Sequence, residues 1–154
     1  MLKALFGWLF NRSSKPQSNL RNMPWKQALD DPSIIRLTKG SFFDVVGEAS
    51  YQQALERICG GRDFYSARHQ CHALLMPEPN NPHDPNAVQI IVDRQLVAYL
   101  SREHAVEYHQ HIGMRASKCD ATIVGGWDDG DTMGFFGIRL KIKWPPKEGK
   151  PRKN

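Results

Sequence analysis

The densest run of residues able to do chemistry is Glu78-Pro79-Asn80-Asn81-Pro82-His83-Asp84-Pro85-Asn86-Ala87-Val88. Pro77, Pro79, Pro82 and Pro85 restrict the backbone of a stretch whose composition would otherwise make a mobile loop. A loop stiffened before it meets a ligand has less entropy to lose on binding. Asn81, His83, Asp84 and Asn86 then present donors, acceptors and one flat ring in fixed geometry. These residues also suit a turn: Asp84 is an Asx residue ahead of Pro85, and Asn81 and Asn86 are turn formers. The two roles are compatible.

Other clusters point to weaker chemistry. His69, Cys71 and His72 fall on one predicted strand, where a period of two puts His69 and Cys71 on the same face. His104, His109, His111 and Cys119 follow, but no C-x-x-C or H-x-x-x-H pair accompanies them, so neither a bound metal nor another cofactor is expected. Cys71 has no identifiable acid to orient a histidine beside it, which argues against a thiol nucleophile. Walker-type, dinucleotide-binding, G-x-S-x-G and H-E-x-x-H patterns are absent. The enzymatic alternative that remains is a metal-dependent nuclease built on Asp84, Asp120 and histidines. Arg139, Lys141 and Lys143 alternate with Ile138, Leu140 and Ile142, a basic strand face that suits either solvent or a polyanion.

The elements that must position these residues follow from period and punctuation. Phe42 to Val46 is β-prone and ends at Gly47. Ser50 is placed to cap a helix in which Tyr51, Ala54, Leu55 and Ile58 form an apolar stripe, closed by Gly60-Gly61. Arg68–Met76 and Ala87–Val92 read as strands on either side of the proline loop, and Leu96–Leu100 returns after a tight connection at Asp93-Arg94-Gln95. Ser101 suits the N-cap of a second helix with Ala105, Tyr108, His109 and Ile112 on one face, stopped by Gly113. Two more strands cover Ser117–Trp127 and Phe135–Trp144. The expectation is a mainly β domain, six strands and two short helices, curled into a small barrel that protects its edges.

The chain has 154 residues, 40% hydrophobic and 24% charged, the composition of one globular domain and not of a disordered chain. No apolar run is long enough to span a bilayer. Cys59, Cys71 and Cys119 cannot close a disulfide framework, which predicts reduced thiols and a cytoplasmic location. Of the net charge of +5, residues 42–144 contribute ten Lys/Arg against thirteen Asp/Glu, and the flanks eleven against three. Basicity is thus expected in arms, where it adds salt-sensitive affinity for polyanions. Residues 1–22 read as an apolar and basic arm with a linker. Residues 23–41 read as an ordered lead-in interrupted at Asp31-Pro32, residues 42–146 as the domain, and residues 147–154 as a basic tail. Met1–Phe10 suits a docking segment for a partner protein or a membrane surface, which keeps an interaction adaptor as a rival reading.

From about Phe43 to Trp144 the chain resembles the HIRAN domain, a module found alone in bacterial and phage proteins and in front of some eukaryotic helicases. Three stretches carry the resemblance in order: Val45-Val46-Gly47-Glu48 with Tyr51-Gln52, the loop from Glu78 to Val88, and Val97-Ala98-Tyr99-Leu100-Ser101-Arg102-Glu103-His104-Ala105. The resemblance implies an OB-like barrel with added helices that binds single-stranded DNA at a free 3′ end, without catalysis, in repair or replication-fork processing and within a larger repair or helicase assembly. It further implies that Asp84 accepts a hydrogen bond from the 3′-hydroxyl, that Asn81 offers polar contacts, and that His83 packs on the terminal nucleotide. Tyr99 would face the ligand, Ser50 and Tyr51 would lie where stacking and phosphate contacts are made, and Arg102 belongs to the third stretch. Arg139, Lys141 and Lys143 complete the expected DNA-binding set. The chain departs from the family pattern at Ala49-Ser50, which lacks an arginine and an aromatic, and at His83, Ala98 and Ser101.

Overall fold

Period-two alternation builds most of the molecule. A computed structural model describes residue 20 and residues 22–150. Its strands are β1 (Ile35–Arg36), β2 (Phe42–Asp44), β3 (Ala67–Pro77), β4 (Val88–Val92), β5 (Gln95–Tyr99), β6 (Ser117–Gly125) and β7 (Phe136–Lys141). Its helices are α1 (Trp25–Asp30), α2 (Gln52–Cys59), which follows a 3-10 turn over Glu48–Tyr51, and α3 (Arg102–Ile112). Six strands form one antiparallel sheet in the order β2-β7-β6-β3-β4-β5, and β1 lies parallel to β6 at its side. The sheet curls until its two ends meet: Val46 N donates to Tyr99 O and Tyr99 N to Val46 O, both at 2.9 Å. The result is a mainly β, half-barrel architecture.

Among the elements named, β1 and α1 go beyond the six strands and two helices that periodicity predicts. β1 is only two residues long, too short to show any alternation. α1 forms inside the lead-in and stops where proline dictates, since Asp31, before Pro32, is extended at φ −62° and ψ 125°. Ser50 does not cap α2 as expected. It sits inside the 3-10 turn, and α2 has no side-chain cap. Ser101 does cap α3, its Oγ accepting from His104 N at 3.2 Å. The β4–β5 connection is a two-residue turn with Asp93 at φ 47° and Arg94 at φ 65°, the primed geometry that follows strand twist.

Inside the curl, Leu75, Val88, Ile90, Ile123, Ile138 and Leu140 pack with Leu55 of α2 and Tyr108 of α3. Each such side chain, fully buried, contributes about 1.5–3 kcal/mol. The residues in alternate register on the other side of the sheet, Leu74, Met76 and Ile91, are covered by Ala28 of α1, by Ile34 and by Leu20. Leu20, which the sequence reading places in the linker, is buried. The first residues of the basic tail are also built in: Thr38 N donates to Lys147 O at 2.8 Å and Gly149 N to Arg36 O at 2.7 Å. The apolar segment 1–10 and residues 151–154 lie outside the described residues. Among the described residues no helix is long and apolar enough to cross a membrane.

Candidate functional site

The proline loop joins β3 to β4 and is organised by its own polar side chains. Glu78 N donates to Ala87 O at 2.8 Å and closes the base. Asn81 Oδ1 accepts from His83 N at 2.9 Å and from Asp84 N at 3.0 Å, so one amide side chain sets the bend. Asp84 Oδ1 accepts from Asn86 N at 2.9 Å, an Asx turn, while Ala87 N donates to Asp84 O at 3.1 Å. Asp84 Oδ2 has no hydrogen-bond or ion-pair partner among the described residues, and the half-buried side chain keeps one oxygen for a donor from outside. His83 is exposed beside it. From α3, His109 Nε2 lies 2.9 Å from Asn86 O and braces the far end of the loop.

Glu78, to which sequence reasoning gave no role, is the hub. Its Oε2 accepts from Tyr99 Oη at 3.0 Å and from Asn81 Nδ2 at 3.3 Å. Burial, together with the hydrogen bond to Glu78, pushes the Tyr99 hydroxyl up to about 12, against a lowering contact with Gln89. Tyr99 therefore stays protonated and donates. The Tyr51 ring lies 6.4 Å from that of Tyr99 at an interplanar angle of 45°. The structure thus brings Asn81, Tyr99 and Tyr51 together at the place where the sheet closes, next to the loop that carries His83 and Asp84.

An open groove runs from this point between the 3-10 turn, α2 and β5, lined by Ser50, Tyr51, Gln53, Arg57 and Gln95 among others. Arg57 Nε and Nη2 both donate to Gln95 Oε1, at 3.2 and 3.0 Å, which holds the guanidinium along the groove. Arg57 was missed because its position depends on a strand 38 residues away. The helical period that placed Tyr51 and Ala54 on one face was the available signal. Arg102 opens α3, is exposed, and has no ion pair among the described residues.

Arg139, Lys141 and Lys143 do not join this group. Among the described residues no hydrogen bond or ion pair joins them to residues 78–87, and they lie with β2 and the chain's basic flanks. Burial pushes the Cys71 thiol up to about 12 and the Cys119 thiol up further, which leaves both protonated. Among the described residues no three His, Cys, Asp or Glu side chains come together as a metal site. Asp120 is engaged by His72 at 3.0 Å and by Arg36 at 3.7 Å, away from Asp84.

No protein-family model, no curated protein and no solved structure matches the chain.

Proposed function

We propose that this chain is a HIRAN-like module with an OB-like barrel that binds single-stranded DNA at a free 3′-hydroxyl and carries out no catalysis. The observation that carries the reading is the unpartnered oxygen of Asp84 on a loop already held in shape by Asn81, by its prolines and by His109. A terminal hydroxyl is a donor that an internal phosphodiester lacks. A carboxylate accepts it and repels a phosphorylated end, so one group supplies both the attraction and the exclusion. Tyr51 and His83 supply faces for the last bases, each stack being worth about 1–3 kcal/mol. Arg57 supplies, from the adjoining groove, the cation that Ala49-Ser50 lacks, and Arg102 a second one. Tyr99 and Asn81 act through Glu78 and hold the wall against which the terminal nucleotide rests.

Fluorescence anisotropy with matched strands ending in 3′-hydroxyl or 3′-phosphate, each at two salt concentrations, tests this. The wild-type protein should prefer the hydroxyl end, and Asp84→Asn, which keeps the Asx turn, should lose about tenfold or more of that preference, as removing a charged hydrogen-bond partner requires. Equal binding of both ends by the wild-type protein removes the proposal.

A further inference from the structure

Arg36, Lys39, Lys141, Lys143, Lys147 and Lys150 converge on one open groove, with Asp120 and Glu148 as its acids. These cations come from both basic flanks and from β7, and the chain path explains how they meet. Lys143 N donates to Thr38 O at 2.9 Å, and Thr38 N donates to Lys147 O at 2.8 Å, so residue 38 ties the two flanks together. Gly40 permits the approach, because a Cβ there would lie 2.6 Å from Ile142 O and from Lys143 N.

The charge in the groove is largely uncompensated. Asp120 is shared by Arg36 at 3.7 Å, Lys39 at 4.0 Å and His72 at 3.0 Å, and Glu148 is engaged by Arg115 at 3.4 Å. Lys141, Lys143, Lys147 and Lys150 have no ion pair among the described residues. Beside them stands Phe42, 57% exposed, directly paired with Lys141 across the β2–β7 ladder. Lys141 Nζ is 5.6 Å and the Arg139 guanidinium 6.0 Å from its ring. An exposed aromatic face flanked by cations, continuous through Lys141 with a row of unpaired lysines, offers stacking for an unpaired base and counter-charge for consecutive phosphates. A base inside a duplex has both faces covered by its stacked neighbours and offers none to Phe42.

We infer that this groove is a second nucleic-acid site, which takes the backbone of a single strand with one base on Phe42 and is indifferent to the strand's 3′ end. It shares no residue with the loop around Asp84. The probe is a thymidine oligonucleotide blocked with 3′-phosphate, its binding to the full chain followed by anisotropy across a salt series, beside a blunt duplex with both 3′ ends phosphorylated. Replacing Lys143, Lys147 and Lys150 together by Gln should weaken binding of the blocked strand about tenfold and reduce the salt slope by about 2, at about 0.7 per phosphate contact. Phe42→Ala should weaken the blocked strand about tenfold and leave the duplex unchanged. Asp84→Ala should not weaken binding of the blocked strand, since it removes only the carboxylate that repels a phosphorylated end, and this separates failure here from failure of the 3′-end reading. Unchanged affinity in the triple variant, with circular dichroism showing it folded, overturns the inference. So does a duplex bound as tightly as the strand with no effect of Phe42→Ala, and so does loss of blocked-strand binding in Asp84→Ala.

Discussion

Tyr99 shows how much a single side chain is asked to do. Its hydroxyl donates to Glu78, and burial holds its proton up to about 12 against an ordinary value of 10.0. Between those limits the unfolded chain binds fewer protons than the folded one, so stability falls as pH rises through that window. The Cys71 thiol, raised from 9.0 to about 12 by burial, adds a fall of the same sign. Tyr99→Phe removes only the first contribution. It should lower stability at neutral pH by about 0.5–1.5 kcal/mol through the lost hydrogen bond. It should also flatten the alkaline decline relative to wild type, as read from urea midpoints compared across about pH 9 to 11. Glu78, Asn81 and Tyr99 form a unit, but only Asn81 and Tyr99 stood out in the sequence. The loop's prolines and Asx residues are adjacent and their turn chemistry is local. The partner that makes Glu78 a hub lies 21 residues away on β5, and no local signal announces it.

The strands and longer helices were readable because each carries its own period and its own stop. β3 states two cores in one line: Leu75 faces the inside of the curl and Leu74 faces α1. Gly113, at φ 73°, ends α3 where expected. Ser101 begins it, and Ser101→Ala should cost about 1 kcal/mol, measured as a drop in the denaturation midpoint with an unchanged slope. Elements without a period went unread. β1 is two residues, and the pairing of residues 36–38 with 147–149 joins segments about a hundred positions apart, which composition describes only as two basic flanks. For the same reason the groove that gathers those flanks, and the place of Arg57 beside Gln95, emerge only from the folded chain.

Most of the molecule's organisation is long-range. β3 pairs with β6 across nine register positions, Ala67 with Gly125 through Leu75 with Ser117. Leu55 of α2 and Tyr108 of α3 pack into the same core as the strands, and that core depends on all of them at once. Leu75→Ala, at the centre of that core, should therefore cost about 2–5 kcal/mol and unfold the protein in one cooperative step, checked by coincident fluorescence and circular dichroism transitions. The same topology separates the two charged regions. The loop around Asp84 hangs between β3 and β4, whereas the lysine groove is assembled from β1, β7 and the residues after it.

The meeting of Val46 and Tyr99 has a further meaning. A hoop fastened by one clasp gives way there first, and Tyr99 belongs to the clasp through its main chain and to the loop's wall through its hydroxyl. On the proposed reading, a nucleotide resting on that wall should also press the fastening shut. The amide protons of these two residues should then exchange more slowly with solvent when a 3′-hydroxyl strand is added than in the free protein, as read by hydrogen exchange.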